Sequence, residues 1–346
     1  MTIQVGIIGY GLSGSVFHAP FIHSMEGFDL KAVVSSKPEK VHKDFPEVEV
    51  VPGLEDLIQK EEIRLIIVTT PTYTHYDYVK QALKAGKHVV VEKPFTVTSS
   101  EAEELIQLAK AQRVVLTVYQ NRRWDGDFLT VKRLVESGEL GKIALFESRF
   151  DRFRPQVQNR WKEQDVGGSG ILYDLGAHLV DQAVQLFGMP EAVFADLARQ
   201  RKGAEATDYF QITLFYGTMR VMLSAGSLVR QPGPRFEIHG DRGSYTKYGL
   251  DPQEGALREG MQPGQKGWGE EPQTDYGTLV YEVNGLPAES RIQTERGRYE
   301  AFYENLRSAI EQGVKPPVDP SDSKRVIRLI ECAMLSSQEQ KVIRIN

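Results

Sequence analysis

The sequence predicts an α/β protein in two domains: a doubly wound parallel sheet over residues 1–121, then an α+β domain on a large open, mainly antiparallel sheet over 122–346. Three observations carry this. At about one domain per 150 residues, a chain of 346 has room for two cores. Up to Asn121, short β-branched runs alternate with longer amphipathic segments, as a sheet covered on both faces requires. Beyond Asn121 the strand-like runs follow one another with glycine-containing turns between some of them, the signature of antiparallel neighbours.

In chain order, the first domain has five strand candidates: Ile3–Ile8, Leu30–Val34, Leu65–Thr69, His88–Val91 and Val114–Tyr119. Helical periodicity separates some of them, at Tyr76–Lys84 and Ser100–Ala111. In the second domain a helix over Asp127–Ser137 stops at Gly138, and a long alternating run, Ile143–Phe153, reads as a strand. Strands are expected at Val193–Arg201, Asp208–Tyr216, Met219–Ser227 and Arg235–His239, and helices at Tyr299–Gln312 and Ser321–Gln340. Residues 250–297, rich in Gly, Pro, Gln and Glu, carry no clear period.

Composition excludes several function classes. Hydrophobic residues at 40% and charged residues at 26% are ordinary for a water-soluble globular chain. The 42 basic and 47 acidic residues leave a net charge of -5, the wrong sign for a protein held to nucleic acid by phosphate contacts. The single cysteine, Cys332, forms neither an internal disulfide nor a cysteine zinc site, so a reducing compartment, the cytoplasm, is expected. The start MTIQVGIIGYG lacks a basic n-region and a cleavage site, and no run of 18 apolar residues occurs, so neither export nor a membrane partner is expected.

Gly9-Tyr10-Gly11-Leu12-Ser13-Gly14 fits G-x-G-x-x-G, follows the first strand and opens a helix through Ser15, Phe17 and His18. Gly9 allows the tight turn, Gly11 lets backbone approach a pyrophosphate, and Gly14 lets helix pack on strand, while free N–H groups at the helix start face the anion. A Rossmann dinucleotide site is therefore expected here, with Leu12 and Ser13 completing the loop; the alternative is an ordinary strand–helix turn of an α/β protein. In NAD-binding members of this fold an acidic residue ends the second strand and holds the ribose 2′-hydroxyl. Here the strand ends in Ser35-Ser36-Lys37, two hydroxyls and an ammonium suited to a 2′-phosphate, so NADP is expected over NAD. The alternative is that Glu39 moves in as the acid.

The third strand runs into Thr69-Thr70-Pro71-Thr72 and the fourth into Glu92-Lys93-Pro94, both at carboxyl ends of parallel strands, where open α/β sheets bind ligands. Thr70, Pro71, Glu92 and Lys93 are therefore expected to line the cofactor, although the prolines also serve simply to end strands. Further on, the glycine-rich Gly167-Gly168-Ser169-Gly170 leads into an apolar-periodic helix on which Asp174 and His178, four apart, share a face. A carboxylate there can orient an imidazole, or both can grip one substrate, and histidine titrates near neutrality as an acid–base group must. A zinc site would need a third ligand at recognisable spacing, which the sequence does not offer, so no metal is expected. His18, His23, His42, His75, His88 and His239 are assigned to surface, packing or secondary roles.

In this order and spacing the glycine loop, Thr70-Pro71-Thr72-x-x-His75, Glu92-Lys93-Pro94 and Tyr173-Asp174-Leu175-Gly176-Ala177-His178 resemble the Gfo/Idh/MocA oxidoreductases, which include glucose-fructose oxidoreductase and inositol dehydrogenases. The resemblance covers essentially the whole chain. Asn121-Arg122-Arg123-Trp124-Asp125, Asp151-Arg152-Phe153-Arg154-Pro155, Arg160-Trp161 and Lys247-Tyr248-Gly249-Leu250-Asp251 look like the subgroup containing NADP-dependent scyllo-inositol dehydrogenases. The resemblance implies a catalytic set of Lys93, Asp174 and His178, a lysine that often precedes a cis-proline, and a substrate held against the nicotinamide.

The implied reaction is hydride transfer between NADP and a secondary alcohol of a cyclic polyol or sugar. Asn121, Arg152, Arg154 and Trp161, with Asp174 and His178, are the candidate substrate residues, because a polyhydroxylated ring offers hydroxyls to polar groups and C–H faces to aromatics. The open sheet suggests a homodimer or homotetramer. Alternatives are a reductase of another sugar or carbonyl compound, and a nucleotide-sensing regulator of the same fold without turnover.

Overall fold

The computed structural model describes residues 2–345. The chain gathers into two compact units. The first comprises Met1–Asn121, Gln253–Trp268 and Arg298–Lys324; the second comprises Arg122–Pro252, Gly269–Gly297 and Arg325–Asn346.

Six strands form the sheet of the first unit: β1 (Ile3–Ile8), β2 (Phe28–Val34), β3 (Glu49–Val51), β4 (Ile63–Val68), β5 (His88–Glu92) and β6 (Leu116–Tyr119). All pairs are parallel, in the order β3-β2-β1-β4-β5-β6. The strand order reverses between β1 and β4, the switch point where this topology opens a crevice beyond the carboxyl ends. Side chains of β1 and β4 are buried on both faces, which is why these strands read as unbroken apolar runs. Helices α1 (Ala19–Ser24), α2 (Pro38–Asp44), α3 (Leu54–Ile58), α4 (His75–Lys84) and α5 (Ser99–Gln112) make the connections. The start of α5 is fixed by a reciprocal cap: the Glu101 N–H donates to Thr98 Oγ1 and the Thr98 N–H donates to the Glu101 carboxylate. The five expected strands become six, because β3 has three residues, too few to show a period.

The second unit has nine strands: β7 (Ile143–Arg149), β8 (Ala192–Ala198), β9 (Tyr209–Tyr216), β10 (Met219–Gly226), β11 (Phe236–Gly240), β12 (Gly243–Lys247), β13 (Gly277–Val283), β14 (Leu286–Ile292) and β15 (Ile343–Arg344). Their order is β14-β13-β12-β11-β7-β10-β9-β8-β15. Every pair is antiparallel except β7 with β10, which run parallel because the chain crosses through α7 (Ala177–Phe187) and two further strands between them. In β9 buried and half-buried residues alternate, so one face is packed and one is open. Helix α6 (Gly126–Ser137) stops at Gly138, whose φ of 71° is the left-handed value that favours glycine.

Two expectations on extent are corrected. The strand expected to reach Phe153 ends at Arg149 as regular ladder: beyond it the Asp151 carboxylate accepts the Gly226 N–H in place of a backbone carbonyl, while the Phe150 and Arg152 N–H groups still donate to the Ser224 and Gly226 carbonyls and an isolated bridge pairs Phe153 with Leu228. The patternless stretch 250–297 contains α8 (Gln253–Arg258) as well as β13 and β14. Helices α9 (Glu300–Gln312) and α10 (Pro320–Glu339) fall where the apolar periodicity put them. Among the described residues no helix is long and apolar enough to cross a membrane.

Candidate active site

In the first unit, the glycine loop follows β1. Gly9 has φ +94°, and a Cβ on Gly14 would collide with the Gly9 carbonyl oxygen, so both glycines are demanded by the protein itself. Gly11 differs: a Cβ there would meet nothing within 4 Å. No neighbouring atom requires glycine at 11, which is the relation expected where space is kept for a phosphate. Thr69 pins the loop, its hydroxyl 2.7 Å from the Gly9 carbonyl and 3.0 Å from that of Ile8. Leu12 is exposed, and from Ser13 to His18 the chain makes a π-helical turn that runs into α1. Such turns break the regular hydrogen-bond ladder and recur at functional sites.

At the end of β2, Ser35 Oγ accepts the Lys37 N–H at 3.0 Å, while Ser36 and Lys37 are exposed. Lys40, on the first turn of α2, reaches back over the glycine loop: its Nζ donates to the Tyr10 carbonyl at 3.1 Å and to Ser15 Oγ at 3.2 Å. Sequence reading missed this lysine because it stopped at the strand end; the available signal was a second basic residue one helical turn beyond Ser36. Tyr10 donates its hydroxyl to Asp44, and burial followed by that carboxylate pushes the phenol above its ordinary value, so it stays a donor.

Beyond β4, the Thr70 hydroxyl accepts from Thr74, and the Thr70 carbonyl faces His75 Nε2 at 2.9 Å. Beyond β5, the Lys93–Pro94 peptide is cis. Lys93 is half-buried, whereas the Glu92 carboxylate points inward, accepting the Lys93 N–H at 3.1 Å and facing His18 Nε2 at 3.1 Å. Asn121 is buried in the 3₁₀ turn Asn121–Trp124.

In the second unit, Asp174 sits in a π-helical turn, Leu172–Gly176, and His178 lies on the first turn of α7. His178 is buried, its Nδ1 completely so. Asp174 Oδ1 accepts from Lys162 Nζ at 2.7 Å, and Oδ2 pairs with Arg152 at 3.4 Å. A cleft open to solvent brings together Arg152, Arg154 and Asp174 with Lys162, Arg160 and Arg201; Trp161 and His178 are not part of its lining. The Trp161 ring instead packs near the Lys162 ammonium, 5.7 Å from the ring centre. Arg201, which sequence reading did not single out, organises this wall. It pairs with the buried Asp208 and Glu163 and donates to the carbonyls of Arg154 and Gln156.

The profile of the oxidoreductase family's NAD-binding Rossmann fold matches residues 3–120, and that of the same family's C-terminal α/β domain matches 132–345. The chain belongs to the Gfo/Idh/MocA oxidoreductase family. Among relatives of this family, scyllo-inositol 2-dehydrogenase (NADP(+)) IolW of Bacillus subtilis is 44% identical over 345 residues, covering 100% of this chain and 96% of its own. The uncharacterized oxidoreductase YdgJ of Escherichia coli is 46% identical, covering 99% of this chain and 98% of its own. The solved yvaA structure from Bacillus subtilis superposes with a TM-score of 0.97 at 44% identity, covering 100% of this chain and 99% of that one. The YPO2259 structure from Yersinia pestis gives 0.95 at 42%, covering 100% and 97%. The protein is therefore an oxidoreductase with a dinucleotide-binding Rossmann domain.

Proposed function

We propose that the protein oxidises, reversibly, a secondary alcohol of a cyclic polyol or sugar with NADP, an inositol such as scyllo-inositol being the first substrate to try. The observation that carries this reading is the Asp174 carboxylate held between Lys162 and Arg152 in a cleft of guanidinium and ammonium groups, with buried His178 four residues on. Such a wall suits a ring presenting several hydroxyls. The likeness to a scyllo-inositol 2-dehydrogenase (NADP(+)) supports the substrate class.

The glycine loop, with its unexplained open space at Gly11, fits the pyrophosphate. Ser35, Ser36, Lys37 and Lys40 fit a 2′-phosphate, and Thr70 and Pro71 line the remainder. Bound nicotinamide supplies the hydride acceptor or donor. Lys93 contributes an ammonium that stabilises negative charge developing on the reacting oxygen. His178 takes the hydroxyl proton at Nε2 and returns it in the reverse direction. Asp174, held by Lys162 and Arg152, accepts from a neighbouring substrate hydroxyl, and Arg152, Arg154, Trp161 and Asn121 select the ring.

We assign dinucleotide binding to residues 1–121 and substrate binding and assembly to 122–346, with the open sheet face joining copies into a dimer or tetramer. Cys332 plays no part; it is buried, and burial raises its thiol pKa. A reducing cytoplasm suits it. Reduced-nicotinamide absorbance across a panel of inositols, aldoses and simple carbonyl compounds tests the reading. NADP-linked turnover of at least one inositol or sugar is expected, and activity restricted to non-sugar carbonyls would overturn it.

A further inference from the structure

We propose, with Lys93 in the role assigned above, that Glu92, His18 and His75 are positioning residues that brace the Lys93–Pro94 turn from both sides and tie it to the turns around the dinucleotide. All four residues belong to the first unit.

Lys93 is the first residue beyond β5, and its amide N–H donates to the Glu92 side chain. The Glu92 carboxylate is buried and its oxygens are divided: Oε2 takes the Lys93 N–H, and Oε1 faces His18 Nε2 at 3.1 Å. An ionised carboxylate only accepts, so Nε2 carries the proton of that contact. His18 is fully buried, and its Nδ1 lies 2.8 Å from the Tyr303 hydroxyl, which also reaches the Phe17 carbonyl at 3.2 Å. Burial holds Tyr303 far above the ordinary phenol value, so it keeps its O–H. His18 closes the π-helical turn that begins at Ser13 in the glycine loop. A continuous chain of contacts therefore runs from the lysine's own amide, through Glu92 and His18, to the helix that follows Gly14.

His75 holds the other side. It is fully buried, with Nδ1 2.9 Å from the Pro94 carbonyl and Nε2 2.9 Å from the Thr70 carbonyl. A neutral imidazole has one N–H and serves one of these carbonyls at a time; only the protonated ring serves both. Burial lowers its pKa, outweighing the Thr70, Pro94 and Phe95 carbonyls and the Glu92 charge, which act to raise it. The neutral ring therefore donates to one of the two carbonyls and packs against the other, filling the space between the Thr70-Pro71 turn and Pro94, so the lysine is held through its amide on one side and by the packing of the next residue on the other.

A carboxylate and two imidazoles are costly contents for a core made mainly of apolar side chains, and hydrophobic residues of equal volume generally stabilise a fold as well or better. Their placement around one half-buried ammonium matches the supporting shell that a charge-stabilising group needs, because a misplacement of about 1 Å costs about 100-fold in rate.

The test uses the full chain with NADP and, for turnover, the substrate with the highest rate in the panel above. The variants are Glu92→Gln, His18→Gln, their combination and His75→Gln, with Lys93→Met as reference. Glu92→Gln and His18→Gln are each expected to lower kcat by about 10- to 100-fold, with NADP dissociation constants within about threefold of the parent, and the combination should fall no further than the worse single variant. His75→Gln should lower kcat by about tenfold. An arm that needs no substrate follows amide exchange in the peptide spanning residues 92–97, expected to quicken by about tenfold or more in Glu92→Gln and His18→Gln. Should these fail to fold, Tyr303→Phe, which removes one hydroxyl, should quicken the same amides by about two- to tenfold. Unchanged exchange, additive losses in kcat, or NADP affinity falling as steeply as kcat would overturn the proposal. Full activity in Glu92→Gln with an inactive Lys93→Met would remove the brace and leave the lysine's role standing; an active Lys93→Met would remove the role itself.

Discussion

The two ends of the proposed machinery are held in place by different physics. At the glycine loop and the Lys93 turn, geometry comes from backbone and from side chains bonded to it: positive φ at Gly9, close approach at Gly14, and contacts to backbone groups from half-buried Thr69 and buried Glu92 and His75. Around Asp174 it comes from long side chains, with Lys162 and Arg152 reaching one carboxylate from 12 and 22 residues away while staying partly exposed. Partly exposed ion pairs are weak and screened by salt, whereas a steric requirement is neither. The first region should thus be intolerant of added atoms, and the second of lost charge.

The largest effect expected is on chemistry. Lys93→Ala and His178→Ala should each lower turnover by about 100- to 10,000-fold, the usual cost of a positioned polar or acid–base group, with NADP affinity within about threefold. Stopped-flow rates with fluorescence titration of NADP check this, and parental turnover in both variants would break the comparison at its root. A sharper contrast lies inside the glycine loop. Gly14→Ala should destabilise the fold by about 1–3 kcal/mol through overpacking, while Gly11→Ala should leave stability within about 0.5 kcal/mol yet weaken NADP about tenfold or more. Denaturant melts of the two variants, with and without NADP, separate a glycine required by the protein from one kept for the ligand.

Lys40→Ala should weaken NADP by about 10- to 30-fold, the loss of one charge-assisted hydrogen bond, and leave NAD binding within about twofold. Equal losses for both dinucleotides would place Lys40 on the shared pyrophosphate instead. The smallest effect concerns pH. His88 lies at the start of β5 with Nδ1 accepting the Val115 N–H, and burial, helped by Arg64, lowers its pKa from 6.5 to about 4. A depressed pKa means the unfolded chain gains a proton that the native ring refuses. This contribution is complete above the ordinary value and lost as pH falls toward 4. Between pH 7 and 5 it amounts to about 1–2 kcal/mol after allowance for the ring's partial exposure. His88→Asn, which keeps an acceptor, should flatten that part of the stability profile.

What was legible in the sequence follows the same division. The glycine loop, the strand-end motifs and the helical segment bearing Asp174 and His178 are local patterns, and the structure puts them on the expected elements, except that Asp174 falls in a π-helical turn ahead of the α-helix that carries His178. β3 escaped because three residues carry no period. β14, LPAESRI, escaped because it is largely exposed and reads as polar sequence; β13, GTLVYEV, has a strand-like run of its own that was lost inside a stretch dominated by Gly, Pro, Gln and Glu. Lys162 as a partner of Asp174, Arg201 as the organiser of the Arg154 loop, and His18 as a partner of Glu92 are long-range relations that spacing alone does not encode. His75 was quoted in its motif, yet its task depends on carbonyls of residues 70 and 94 that only folding brings together.

The most direct measurement uses scyllo-inositol deuterated on its ring carbons, incubated with the enzyme and NADP, with mass analysis of the reduced cofactor. Deuterium transferred to the nicotinamide is the predicted result, and it should vanish in Lys93→Ala and His178→Ala. Reduced cofactor without deuterium, or transfer undiminished in both variants, would contradict the account.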